Sequence, residues 1–258
     1  MRFFRHRAPD FWVPQRVPTG PVEIDRGHPL ARNLRRMLYF GGGAQEDLVA
    51  QSGPVTIGAG AAPMVSPIGT GISFASAPDA VSAASDANSQ VYTFETLVFT
   101  GTALASMFIL GFDSTATGAS GSAFDRALQT SATGAIEFYW YPGAAQYVTG
   151  PLLSANTLYH IAATCTGTTV TLHVNGASVG SAATTSGGAN YVPYLLAGYK
   201  TGSYAFSGAM LYGGMRDVAL QAGEISALAA APFAMLRPRF VPRRRGMPGA
   251  SPLVFVVT

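Results

Sequence analysis

The stretch that decides the fold reads Leu158-Tyr-His-Ile-Ala-Ala-Thr-Cys165, Thr166-Gly167, Thr168-Thr-Val-Thr-Leu-His-Val174, Asn175-Gly176, Ala177-Ser-Val179. The Asn-Gly pair between β-rich runs favours a type I′ hairpin, because both central residues of that turn need positive φ. The stretch therefore predicts three antiparallel strands in a meander. Alternation also predicts that Val170, Leu172 and Val174 face the core, while Thr171 and His173 face away from it.

Strand patterns continue on both sides of this meander. Residues 92–99 alternate with apolar or aromatic side chains on both faces, which indicates a strand covered on both sides, as in a two-sheet sandwich. Residues 136–141 alternate in the same way until Pro142-Gly143 stops the strand. Residues 194–197 and 209–212 have the pattern of short strands.

Helical signals are few. Residues 219–231 are Ala-rich with Glu224 near the start and Pro232 at the end, which predicts a helix. Within residues 29–40 the apolar positions Leu30, Leu34, Met37 and Leu38 recur at helical spacing, which predicts a short helix or helical turn. The stretches rich in Ala, Gly and Ser are predicted to be loops, namely 58–71, 113–123 and 181–190.

These patterns together predict an all-β protein. Short strands with frequent turn signals and one late helix are typical of a two-sheet antiparallel jelly-roll sandwich. We expect a basic, extended N-terminal arm at residues 1–20, a jelly-roll domain at 21–235, and a basic C-terminal arm with a terminal strand at 236–258.

Composition excludes several classes of protein. The 258 residues contain one cysteine, Cys165, so neither an intramolecular disulfide nor a multi-cysteine zinc site can form. The longest apolar stretch, residues 99–112, is shorter than the ~20 residues that a spanning helix needs, so we expect no contact with a membrane. No secretory signal pattern precedes Pro14, and we expect assembly in the host cytoplasm.

Charge is concentrated at the two ends. Residues 1–36 contain eight Arg against three acids, residues 37–236 three basic residues against ten acids, and residues 237–258 five Arg and no acid. Basic ends usually contact something anionic, and solvated tails are the alternative. The ends are also rich in aromatic residues, which predicts packing against other subunits. The residues predicted to make these assembly contacts are Phe3, Phe4, Arg5, Phe11, Trp12, Arg237, Arg239, Phe240, Arg243, Arg244, Arg245 and Phe255.

Several of these segments resemble the LamG-type branch of the concanavalin A-like lectin and glucanase jelly rolls. They are Tyr92-Thr-Phe-Glu-Thr-Leu-Val98, the meander at 158–176, and the segment from Phe206-Ser-Gly208 to Glu224-Ile225, together covering roughly residues 85–232. Where many such domains place an Asp shortly after Phe-x-Gly, this chain has Met210 and Leu211, so the resemblance does not imply a calcium site.

Two further segments are similar to LamG-bearing proteins of tailed bacteriophages. They are Gly27-His-Pro-Leu-Ala-Arg-Asn-Leu34 and Ala231-Pro-Phe-Ala-Met-Leu-Arg-Pro238. This resemblance implies a non-enzymatic virion protein, as a capsid decoration, head fibre or tail accessory. Its expected partners are a major capsid or tail protein and copies of itself, for which a trimer is one candidate.

Catalytic and metal chemistry find little support in the sequence. Hydrolytic relatives need two carboxylates at about 5 Å, whereas Glu95 and Glu137 each stand alone in a predicted strand and are expected to be exposed or hydrogen-bonded. His160 and His173 fall in adjacent strands near Cys165 without an evident third ligand, which favours ordinary packing over a metal site. We therefore predict no catalytic residue, no metal and no cofactor.

The alternative function is glycan binding for host-surface attachment. Tyr139 and Tyr141, flanking Trp140, would supply an aromatic platform for a sugar ring, although core packing or a subunit contact is the favoured explanation of these residues. Glycoside hydrolysis ranks third. Nucleic-acid binding through the Arg-rich end ranks last, because an apolar terminal strand at 253–257 follows it and predicts pairing with a sheet.

Overall fold

The computed structural model describes most of the body of the chain. Described are residues 16–18, 20–43, 45–49, 61–74, 81–84, 90–113, 126–140, 144–184, 194–197 and 206–239, with the backbone alone at 81–84 and 194–197. Many residues predicted to make contacts lie outside these ranges, namely Phe3, Phe4, Arg5, Phe11, Trp12, Tyr141, Phe240, Arg243, Arg244, Arg245 and Phe255.

Within these residues, two antiparallel sheets form a sandwich, which confirms the predicted fold class. The larger sheet runs, in spatial order, β14 (Ala177–Ala183), β13 (Thr169–Val174), β12 (Leu158–Thr166), β7 (Val91–Thr100), β16 (Gly208–Arg216), β2 (Leu34–Tyr39) and β3 (Glu46–Asp47), with the hairpin of β4 (Ala61–Ser66) and β5 (Gly69–Phe74) attached through β16. The smaller sheet runs β11 (Gln146–Leu152), β10 (Ala135–Trp140), β9 (Arg126–Thr130), β8 (Phe108–Asp113), β15 (Tyr194–Ala197) and β6 (Val81–Ala84).

Smaller elements cover the outer face of the larger sheet. A two-stranded ribbon joins β1 (Val22–Ile24) to β17 (Leu236–Pro238), and the helix α1 spans Ala222–Ala230. A 3-10 turn lies at Pro29–Ala31, and a second lies at Gly41–Gly43. The larger sheet is therefore the middle of three layers, buried on both faces.

The predicted meander of three antiparallel strands and the positive φ values of its Asn-Gly turn are confirmed. β12 pairs with β13 and β13 with β14, and the connecting Asn175 and Gly176 have φ values of 50° and 85°. Val170, Leu172 and Val174 belong to the core between the sheets, as alternation predicts. His173 lies on the opposite face, where it too is buried, because the third layer covers that face.

Aromatic side chains fill the space between the two sheets. Phe94 of the larger sheet meets Phe112 of the smaller one edge to face, with ring centroids 5.1 Å apart. Trp140 is fully buried and donates its indole N–H to Thr184 Oγ1 at 3.1 Å. Such paired rings stabilise the sandwich beyond the area that they bury.

The helix predicted within residues 29–40 is wrong for most of its length. Only Pro29–Ala31 is helical, as a 3-10 turn, whereas Leu34–Tyr39 forms β2. Met37 packs in a hydrophobic cluster between the larger sheet and the elements that cover its outer face, and Leu38 packs in the core between the two sheets. This strand is therefore apolar on both faces. Apolar residues then follow one another without alternation, and their spacing imitates a helix.

Two of the predicted loops are also partly strands. Residues 61–66 and 69–74 form the hairpin of β4 and β5, and residues 181–183 complete β14. Gly71 lies directly against the backbone of Met210, where a Cβ would meet the carbonyl oxygen. Glycine is needed there because β5 approaches β16 closely, and Gly71 is one of the residues that give this segment its loop-like composition.

Candidate functional site

A groove opens on the outer face of the smaller sheet. Its volume is about 330 Å³, within the range of roughly 300–1,000 Å³ typical of small-molecule sites. The described residues that line it come from β9, β10, β11 and the turns beside them, namely Ser106, Gln129, Thr130, Ser131, Ala132, Glu137 and Tyr147.

Strand register places a polar row across this groove. Glu137 of β10 lies opposite Gln129 of β9 on one side and opposite Thr149 of β11 on the other. Gln129 Nε2 donates to Glu137 Oε2 at 3.4 Å, and Thr149 Oγ1 donates to Glu137 Oε1 at 3.3 Å. Both bonds are long, so the half-buried carboxylate keeps acceptor capacity for a ligand.

An aromatic pair lies next to the polar row. Tyr139 is opposite Tyr147, and their ring centroids are 5.3 Å apart with the planes inclined by 59°. Tyr147 is 48% exposed, so its ring is open to contact from solvent. Together the groove offers a ring surface, a carboxylate, an amide and hydroxyl groups, which is a set of groups suited to sugars.

Of the two tyrosines predicted to form an aromatic platform, the structure describes Tyr139. The ring beside it is that of Tyr147, which the sequence analysis did not single out. The Tyr139 side chain is half-buried on the outer face of the sheet, beside the groove, whereas the Trp140 side chain lies in the core. Tyr147 was missed because its strand carries a Gly and a Pro, Gly150 and Pro151, which weaken the strand signal. The alternation of residues within Gln146–Leu152 is the sequence signal that could have identified this strand. The pairing of the strand with β10 then places Tyr147 opposite Tyr139.

A second polar cluster is buried on the outer face of the larger sheet. Arg216 Nη2 donates to Glu95 Oε1 at 2.6 Å, and both side chains are essentially inaccessible to solvent. Arg216 also donates through Nη1 to the carbonyl oxygen of Leu30 and, at 3.3 Å, to that of Arg32. The cluster thus fastens the 3-10 turn at Pro29–Ala31 to the sheet, which is a structural role.

Neighbouring charges determine the protonation state of the Glu95 carboxyl in this cluster. Burial alone would raise the pKa of Glu95, but the Arg216 guanidinium and His160 outweigh it, so the pKa of the carboxyl is lowered. Burial, together with the charge of Glu95, raises the pKa of Tyr212 well above its usual value. Glu95 is therefore ionised at neutral pH. Of the two environments expected for it, exposed or hydrogen-bonded, the structure shows the hydrogen-bonded one.

The two carboxylates considered as catalysts are far from forming a pair. Glu95 lies on the outer face of the larger sheet and Glu137 on that of the smaller one, with the core between them. A glycosidase needs both carboxylates around a single sugar linkage. Glu95 and Glu137 therefore do not form such a pair.

The two histidines do not face each other directly. His173 lies opposite Ala162, and its Nε2 is 3.3 Å from Thr164 Oγ1, while the backbone N–H of His160 donates to Asn175 Oδ1 at 2.9 Å. Burial lowers the pKa of His173, and the charge of His160 lowers it further. Among the residues that the structure describes, no three His, Cys, Asp or Glu side chains come together as metal ligands.

The two ends of the described chain meet at the ribbon. The backbone N–H of Arg239 donates to Pro21 O at 2.9 Å, and Arg237 Nε donates to Glu23 Oε1 at 2.7 Å. Val17 is buried, and its N–H donates to Ile68 O at 2.9 Å. Arg237, predicted as an assembly contact, thus pairs with this chain's own Glu23 while remaining half exposed, and Leu236–Pro238 packs on the body.

Comparison with known proteins identifies the fold family. Residues 74–226 match the Laminin_G_3 family model, described as the concanavalin A-like lectin/glucanases superfamily. The chain belongs to this superfamily. No curated protein sequence matched the chain.

Several solved structures share the superfamily fold at low sequence identity. The binding domain of Paraclostridial Mosquitocidal Protein 1 is 12% identical, with a TM-score of 0.60 over 80% of this chain and 53% of that one. Domain 4 of an extracellular arabinanase from Geobacillus stearothermophilus, in complex with arabinotriose, is 14% identical, with a TM-score of 0.59 over 76% of this chain and 98% of that one. Trypanosoma rangeli sialidase is 14% identical, with a TM-score of 0.61 over 79% and 33%.

These structural similarities concern the fold alone. The chain spans about half of the binding-domain chain of the mosquitocidal protein and a third of the sialidase's chain, so the activities of those proteins do not transfer to it. Among the described residues, no helix has the length and apolarity needed to cross a membrane.

Proposed function

We propose that this chain is a non-enzymatic structural protein of a bacteriophage particle, a capsid decoration, head fibre or tail accessory. The observation that carries the proposal is the ribbon, where β1 pairs with β17 and the backbone N–H of Arg239 donates to Pro21 O, so that the described residues next to both basic segments are held on the body. The resemblance of residues 27–34 and 231–238 to phage-encoded LamG proteins supports the same function.

The flanking segments share a chemistry that suits attachment. Residues 1–15 contain three Arg against Asp10, and residues 240–258 contain three Arg and no acid. The backbone N–H of Val17 donates to Ile68 O and that of Arg239 donates to Pro21 O, so the body holds the described residues next to each basic segment. Their partner would be an acidic surface of a neighbouring virion subunit or of another copy.

The test compares how much full-length chain and how much truncated chain is incorporated into phage particles. Three tagged chains are produced during particle assembly: the full-length chain, a chain lacking residues 1–15 and a chain lacking residues 240–258. Heads and tails are then purified separately. These deletions spare Val17 and the ribbon, so circular dichroism should show an unchanged body.

Mass spectrometry should find the full chain in one particle fraction and strongly reduced amounts of the trimmed chains. As a matched control, replacing Arg243, Arg244 and Arg245 by Lys should retain incorporation, while replacing them by Gln should reduce it. Equal incorporation of the trimmed chains, or absence of the full chain from particles, would reject the proposal.

A second candidate is glycan binding for host-surface attachment, and the groove favours it. The exposed Tyr147 ring next to the Glu137 carboxylate resembles a sugar site in its chemistry. On a glycan array, Tyr147→Ala should abolish binding, whereas Tyr147→Phe should keep most of it because the ring remains. Array signals that survive Tyr147→Ala unchanged would place any glycan site elsewhere.

A further inference from the structure

The charge of the groove is set by Glu137. Among the described lining residues it alone is charged, and none of them carries a positive charge. Arg126 lies in the same strand as Gln129, but its side chain turns into the core, with the guanidinium carbon 4.6 Å from the centre of the Tyr92 ring. The described part of the groove is therefore negative.

We infer that the groove binds uncharged glycans through Glu137 and Tyr147 and discriminates against sialylated, uronic-acid and sulfated ones. This inference rests on the second candidate function, glycan binding, and adds the class of ligand. Its basis is a carboxylate that can accept bonds from sugar hydroxyls, while the described residues that line the groove include no cation to receive an anionic substituent.

The hydrogen-bonding inventory explains the preference. An ionised carboxylate is purely an acceptor, and its bonds with hydroxyl donors are charge-assisted. Gln129 and Thr149 approach it at 3.4 and 3.3 Å, which orients the carboxylate without saturating its oxygens. A neutral sugar can present donors to these oxygens while its ring contacts Tyr147. An anionic substituent in the same place would meet a charge of its own sign.

The experiment compares matched neutral and acidic glycans on the full chain. A glycan array containing neutral, sialylated, uronic-acid and sulfated glycans gives the first ranking, and titration calorimetry then compares the best neutral glycan with its own sialylated or sulfated derivative. We expect the acidic derivative to bind at least tenfold more weakly at low salt, with a smaller difference at 0.5 M salt because charges are screened.

Glu137→Gln separates the charge effect from a structural one. It keeps the size of the side chain and removes the charge, so the neutral-to-acidic ratio should fall by about tenfold. Glu46→Gln is the matched control, because Glu46 is an exposed carboxylate on the other sheet and its loss should leave the ratio unchanged.

Each outcome decides a different question. Equal or tighter binding of the acidic glycan overturns the inference and leaves glycan binding standing. A ratio unchanged by Glu137→Gln also overturns it, because the discrimination would then arise elsewhere. No binding across the array rejects the inference together with the second candidate function, while the proposed virion role is tested separately by incorporation.

Discussion

Arg216→Met should be among the most destabilising single substitutions in this chain. The change keeps an unbranched side chain of similar length but leaves the Glu95 carboxylate buried without its cation. It also removes the donor that Leu30 O and Arg32 O share. Removing one partner of a buried ion pair typically costs about 3–5 kcal/mol.

The double variant Glu95→Leu/Arg216→Met supplies the comparison. It contains no uncompensated charge, because a buried pair can be replaced by apolar residues at little cost. The carbonyl oxygens of Leu30 and Arg32 remain without this donor, at about 1–3 kcal/mol. The double variant should therefore be more stable than Arg216→Met alone.

Urea unfolding followed by circular dichroism gives these free energies. In a chain of this size about 3–5 kcal/mol corresponds to a fall in Tm of roughly 6–20 °C. Arg32→Met is the control, because its ion pair with Glu224 is half exposed and should contribute only ~0–1 kcal/mol. A double variant no more stable than Arg216→Met, or a loss in Arg216→Met no larger than in the control, would refute the reasoning.

Two further predictions concern pH and backbone geometry. The pKa of His173 is lowered on folding, so the unfolded chain binds more protons below its usual pKa of about 6.5, and stability should fall as the pH drops from 7 to 5.5. The lowered pKa of Glu95 adds a loss below about pH 4.5. His173→Gln should flatten the upper part of the urea-midpoint profile, and an unchanged slope would contradict this. Gly208→Ala should cost more than about 2 kcal/mol, because φ is 142° and a Cβ would meet the Phe99 carbonyl oxygen, whereas Gly223→Ala in the open helix surface should stabilise by up to ~1 kcal/mol. Equal thermal shifts for the two glycine variants would show that this geometry is wrong.

Patterns within one strand were predictable from the sequence. The Asn175-Gly176 turn and the alternation in residues 169–174 depend on neighbours close in the chain, and the structure confirms them. The secondary-structure prediction was wrong at β2, Leu34–Tyr39, where the apolar residues have helical spacing in the sequence. A strand buried on both faces loses its alternation, and only the covering third layer explains why.

The groove shows the same limit. Alternation put Glu137 and Tyr139 on the same face of a strand, but the sequence did not say that Gln129, Thr149 and Tyr147 would lie beside them. Those neighbours come from register between strands, which depends on the packing of the whole sheet.

The sequence alone determined that this protein is a two-sheet β-sandwich with basic ends, because strand period, turn chemistry and charge are local properties. Tertiary structure alone decided that Arg216 neutralises Glu95, 121 residues away, and that Arg237 reaches Glu23, 214 residues away. Such pairs form because folding removes both groups from water or closes the two ends on one ribbon, and no local pattern encodes which distant partner each charge will meet.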